Sequence, residues 1–179
     1  MFEFEPLVLQ GAYRILMPRF ADERGSFVKV FQESFLKNQL IDFDLKESYF
    51  SISKKGVIRG MHFQNPPYDH SKIVFCPLGC ILDVIIDLRA QSLTYGQYVA
   101  TELSDKNHTA YYIPKGFAHG FKALTEGAMT YYLVSSEHNA ANDNGIRFDS
   151  FGMDWQEESP VFSQRDGAFP MLKDWKSCF

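Results

Sequence analysis

The chain has 179 residues, 45% hydrophobic and 22% charged, a composition that fits one globular domain over 1–179 and argues against extended disorder. A formal charge of −4 offers no basic field for nucleic acid. The longest apolar run, Ile73 to Leu82, is about half of a bilayer-spanning stretch and contains Pro77 and Gly79, so no membrane span is expected.

Aromatic residues reach 16%, with 17 Phe and 9 Tyr, and such side chains favour pleated sheet, so an all-β domain is expected. The opening MFEFEPLVL has Glu3 and Glu5 where a secretory leader needs cations. Short β-type runs then recur at intervals of about ten residues between turn signals, the spacing of a sandwich or barrel. Ser26 to Phe31 follows the polar turn Asp22 to Gly25, and Gln32 to Leu40 has a short apolar helical face of Phe35, Leu36 and Leu40. Tyr49 to Ser53 and Val57 to Phe63 come next, separated by Lys55-Gly56. Ile73 to Cys76 leads into a turn at Pro77-Leu78-Gly79, and Ile81 to Leu88 is strand-like although Asp83 and Asp87 interrupt it. Tyr98 to Leu103, Ala110 to Ile113, Phe117 to Leu124 and Ala128 to Val134 complete the series. Beyond them Asn139 to Gly145 reads as turn, and a short helix fits between Ser163 and Pro170, in a tail that wraps the β core. Three cysteines without CxxC spacing indicate neither a disulfide framework nor a zinc knuckle. Cys76 and Cys80 read as small core residues, and a soluble protein of a reducing cytoplasm is expected.

Three clusters carry chemistry. In Arg59-Gly60-Met61-His62-Phe63-Gln64, residues three apart cannot share a strand face, so Arg59 and His62 serve one pocket only if the strand bends at Gly60 or ends there. His62 is then either a general base or a hydrogen-bonded core histidine. In Gly116-Phe117-Ala118-His119-Gly120-Phe121, His119 is a ligand contact or a buried turn histidine between apolar walls. In Ser163-Gln164-Arg165-Asp166, the carboxylate is a helix cap or a catalytic partner. His70 and His108 lie in polar turns and are expected to be exposed. A metal site of the double-stranded β-helix kind needs a His-x-His pair with a carboxylate. Here the second position is Gln64 with no Glu following, which disfavours a metal.

Taken in order, Phe20 to Gly25, Val57 to Gln64, Lys72, Asp83 to Arg89, Ser92 to Gly96, Ile113 to Phe121, Gly145-Ile146 and Ser163 to Asp166 resemble the dTDP-4-dehydrorhamnose 3,5-epimerase family. The resemblance implies a cupin-type jelly roll with short peripheral helices, a homodimer, a nucleotide-sugar substrate and no metal or organic cofactor. It implies His62 as base, Asp166 as the carboxylate orienting it, Tyr132 as proton donor and Lys72 as the cation beside the sugar carbonyl. Arg24 and Arg59 match diphosphate contacts, and His119 a sugar- or base-side contact. Asp143 and Arg165 stand where the family has a Glu and a Lys in the substrate pocket. Four positions depart from the family pattern: Lys29 for Glu, Glu47 for Gln, Tyr49 for Asn and His138 for an aromatic residue. By analogy they surround the nucleotide, which suggests a base other than thymine or a different sugar. Three rival readings stay open: epimerisation at one carbon of a CDP- or GDP-linked 4-keto sugar, a silent sugar-nucleotide binding module, and a metal-dependent oxygenase or isomerase on the same barrel.

Overall fold

The computed structural model describes residues 1–179. Thirteen strands run β1 Glu3–Pro6, β2 Tyr13–Leu16, β3 Arg19–Asp22, β4 Gly25–Val28, β5 Glu47–Ser53, β6 Ile58–Gln64, β7 Lys72–Leu78, β8 Cys80–Asp87, β9 Tyr98–Ser104, β10 Thr109–Ile113, β11 Phe117–Ala123, β12 Ala128–Val134 and β13 Asp143–Gly145. Two short helices, α1 Glu33–Asn38 and α2 Gln164–Ala168, lie at the periphery. A six-stranded sheet in the order β1-β2-β10-β7-β12-β5 faces a five-stranded sheet in the order β13-β6-β11-β8-β9, and β3-β4 forms a separate hairpin. The strands pair antiparallel throughout both sheets, and the result is the expected jelly roll.

Burial on both sheet faces explains why β8 reads as a nearly continuous apolar run. Ile81 and Ile85 point between the sheets and join Val74, Tyr111, Phe117, Phe121 and Val134 in the central core. Val84 and Ile86 point outward and are covered, with Ile58, Met61 and Phe63, by the C-terminal segment carrying Trp155, Trp175 and Phe179. The outer face of the six-stranded sheet is sealed by Phe2, Leu36 of α1, Ile41 and Phe43. Residues 83 and 87 share the inward parity of Ile81 and Ile85, so the two aspartates interrupting the run are buried between the sheets.

Several expectations need correction. The run from Ser26 ends at Val28, and helix α1 is shorter than Gln32 to Leu40 because Leu40 adopts φ 58, outside helical geometry. Pro77-Leu78 is not a turn: β7 continues to Leu78 before the chain reverses at Gly79. Asp143–Gly145, expected as turn, pairs with β6 as an edge strand, and β1, β2 and β3, at four residues each, are too short to have been read as strands. Cys76 is buried as expected, whereas Cys80 is only half-buried.

The bend at Gly60 is present. Against β11, His62 pairs with His119 while Arg59 pairs with Phe121, so three steps on β6 match two on β11 and one extra residue bulges from β6. Side-chain parity flips there, and Arg59 and His62 both face the space between the sheets. Gly60 has φ 142, and a Cβ built on it would stand 2.6 Å from Gly120 Cα. A Cβ on Gly120 would meet Met61 Sδ at 2.6 Å and Arg59 O at 2.8 Å. Gly120→Ala should therefore lower unfolding free energy by about 1–3 kcal/mol in urea denaturation. A variant as stable as the parent would contradict this close approach.

Candidate active site

The inward-facing residues of β5, β6, β7, β11 and β12 enclose a cavity of about 370 Å³ between the sheets, a size suited to a small molecule. On the β6 wall, His62 Nε2 lies 2.9 Å from Asp166 Oδ1. The imidazole is about one-third exposed toward the cavity, and the carboxylate behind it is buried. Asp166 sits in the first turn of α2, where its own N–H donates to the Ser163 hydroxyl at 3.0 Å, and its second oxygen accepts the Gly60 N–H at 3.2 Å. Burial raises the carboxyl, but bonds to His62 and Gly60 outweigh it and hold Asp166 below the ordinary carboxylate range. This leaves Nδ1 of His62 as the nitrogen not engaged by Asp166.

Tyr132 stands on the facing sheet, 8% exposed, and burial pushes its phenol well above the ordinary tyrosine range. Its ring meets two others: Tyr49 stacks on it with centroids 4.7 Å apart, and His119 approaches edge-on at 5.8 Å. His119 Nε2 is 2.7 Å from Asp83 Oδ2, and both side chains are almost wholly buried. Burial pushes this imidazole down and this carboxyl up, so the environment disfavours charge on either partner. Lys72 is buried on β7 and donates from Nζ to the His62 carbonyl at 3.2 Å. Burial lowers its amine to about 8, with Asp143 and Asp83 opposing the shift.

The outer part of the cavity is a charged network. Arg165 pairs with Asp143 at 2.8 Å, His138 Nε2 lies 3.3 Å from the same carboxylate oxygen, and the His138 N–H donates to Glu47 Oε2 at 2.8 Å. Arg59 donates from Nε to the Ser53 hydroxyl at 3.1 Å. Gln64 secures this wall: its side-chain amide donates to the Tyr68 carbonyl, and its oxygen accepts the Asn139 N–H. No group of three or more His, Cys, Asp or Glu side chains has metal-holding geometry.

Residues 6–174 match the family model described as dTDP-4-dehydrorhamnose 3,5-epimerase. The chain belongs to this family. It is 36% identical over 164 residues to the dTDP-4-dehydrorhamnose 3,5-epimerase of Sinorhizobium fredii, covering 89% of this chain and 84% of that one. It is 34% identical to the dTDP-4-dehydrorhamnose 3-epimerase of Streptomyces niveus, covering 90% and 79%. The solved dTDP-6-deoxy-D-glucose-3,5-epimerase of Legionella pneumophila, in complex with dTDP-4-keto-L-rhamnose, superposes with a TM-score of 0.92 at 31% identity, covering 97% and 94%. The chain is a sugar-nucleotide epimerase.

Of the site residues expected for this epimerase, Glu47, Arg59, His62, Lys72, His119, Tyr132, His138, Asp143 and Arg165 all line the one cavity, with Asp166 directly behind His62. Arg24 and Lys29 do not. Arg24 is exposed on the β3-β4 hairpin, where it pairs with Asp22 at 2.5 Å; Lys29 follows that hairpin and donates to Gln32. Of the departing residues, Tyr49 packs against Tyr132, and Glu47 and His138 line the same cavity. Sequence reasoning missed Asp83 as the partner of His119, although its inward parity on β8 was a usable signal. It misplaced His70, which lines the cavity and whose imidazole burial lowers to about 3. Its polar surroundings gave no sign of this. His108 is half-buried rather than exposed.

Proposed function

We propose that the enzyme inverts carbon centres beside the C4 carbonyl of a dTDP-linked 4-keto-6-deoxy sugar, with His62 and Tyr132 working from opposite faces of the ring. The observation that carries this reading is the placement of a carboxylate-backed imidazole and a proton-retaining phenol on facing sheets of one cavity. His62 Nδ1 takes the proton from C3 or C5, and the C–H electron pair moves through C4 onto O4. Asp166 accepts the Nε2 hydrogen and stabilises the imidazolium. The Lys72 ammonium faces the developing oxyanion, a contact whose loss typically lowers rate by about 10²–10³-fold. Tyr132 then donates its proton to the opposite face, which inverts the centre. Water reprotonates the phenolate and takes the imidazolium proton.

Glu47, Tyr49 and His138 line the same cavity as His62 and Tyr132, and the dTDP handle of the relatives is the one favoured. A homodimer is supported by edge strand β5, which exposes Phe50 and Ile52, and by exposed Phe20 and Phe27 beside Arg24 on the hairpin. A second copy would bring Arg24 and Lys29 to a diphosphate site that Arg59 begins. Three free cysteines support a cytoplasmic location.

In deuterated water, the enzyme should incorporate solvent deuterium into dTDP-4-keto-6-deoxyglucose, followed by mass spectrometry. His62→Ala should abolish incorporation while dTDP affinity stays within about threefold; undiminished exchange would place the base elsewhere. Lys72 must carry its proton to face the oxyanion, and that proton is lost as pH rises through about 8. Hence kcat/KM should fall on the alkaline side with a midpoint near 8, and the residual activity of Lys72→Arg should lack that limb, because guanidinium does not titrate there. An unchanged limb in that variant would assign it to another group.

A further inference from the structure

We infer that Tyr49 is a positioning residue that locks the Tyr132 phenol in one pose, making proton delivery fast at one of the two carbons flanking the sugar carbonyl and slow at the other. The inference rests on Tyr132 being the proton donor.

Tyr49 and Tyr132 are direct cross-strand partners on β5 and β12, a pairing in which aromatic rings reinforce one another. Their rings stack at 4.7 Å with an interplanar angle of 22°. His119 closes the Tyr132 ring from another side at 5.8 Å and is itself tied to Asp83. The backbone beneath has no slack either, since β12 is paired with β5 on one side and β7 on the other. Swinging the phenol therefore requires Tyr49 to leave first. Tyr49 is 40% exposed, so it is a cover on the donor rather than part of the central core.

C3 and C5 lie on opposite sides of C4. If Lys72 holds O4, the two carbons occupy two different places, and one immobile hydroxyl cannot be equally close to both. His62, about one-third exposed at the opposite wall, is held by Asp166 at 2.9 Å and meets the edge of Phe169, with no ring stacked on it. The base is fixed by its hydrogen bond and the donor by packed rings, so the donor's pose is the one that Tyr49 controls.

The test follows deuterium uptake separately at C3 and C5 of dTDP-4-keto-6-deoxyglucose by NMR, with dTDP binding and thermal unfolding measured on the same samples. In the parent enzyme the two initial rates should differ by on the order of tenfold or more, the size of effect expected from small misplacement of a reacting group. Tyr49→Ala should bring the ratio to within about threefold of unity, whereas Tyr49→Phe, which keeps the stacked ring, should retain the parent ratio. If the Ala variant does not fold, Tyr49→Asn removes the ring with a polar residue suited to the half-exposed site and must give the same levelling. Equal rates in the parent, an unchanged ratio without the ring, or a Phe variant that behaves like Ala would each overturn the role of Tyr49. A parent enzyme that binds dTDP but exchanges neither carbon would contradict the proton-transfer reading itself.

Discussion

Where β6 crosses β11, Gly60 and Gly120 bring two backbones closer than side chains allow, and this contact decides what the cavity contains. Without the extra residue in β6, strict alternation would send either Arg59 or His62 out to the face covered by the C-terminal segment. With it, both enter the cavity, and Gly60 also presents its N–H to Asp166, the carboxylate that holds His62. One bulge therefore sets the direction of the imidazole, supplies a bond to its partner and keeps a guanidinium on the same wall. Alanine at either glycine would place a carbon inside backbone or against Met61.

Burial acts differently on each group around the cavity, and the differences have chemical consequences. The Tyr132 phenol keeps its proton because charge is disfavoured there, as an acid acting on an enolate requires. The Lys72 amine is lowered to about 8, so it holds a proton near neutrality but sits where a nearby anion would be felt strongly. Asp166 is driven down, because its bonds to His62 and Gly60 exceed the cost of burial, as those of Arg89, Ser92 and Thr94 do for Asp87. Asp83 goes the other way against His119. Two His–Asp pairs of similar geometry thus occupy different electrostatic settings: one backs an imidazole open to the cavity, and the other braces a sealed ring beside the phenol.

Much of the fold was legible because its long strands carry their own pattern. Ala128–Val134 was read with both ends correct, and the β6, β8, β9, β10 and β11 runs were displaced by only a residue or so at their ends. Short polar strands such as Arg19–Asp22 and Asp143–Gly145 were invisible, since their pairing comes from neighbours rather than from their own side chains. At the site, the problem of Arg59 and His62 could be stated from spacing, but its solution needed the partner strand. The stack of Tyr49 on Tyr132 depends on the β5-β12 register, which joins residues more than eighty positions apart. His70 was missed for a related reason: Ser136, which bonds its Nδ1, reaches it from 66 positions away.

The proposed proton transfers require one sugar ring lying between the β6 and β12 walls. A crystal structure with a dTDP-linked 4-keto sugar, or a reduced analogue, tests this most directly. It should show the pyranose between His62 Nδ1 and the Tyr132 hydroxyl, with its C4 oxygen at Lys72 Nζ. A pyranose seated outside the cavity, or with both groups on the same face of the ring, would contradict it.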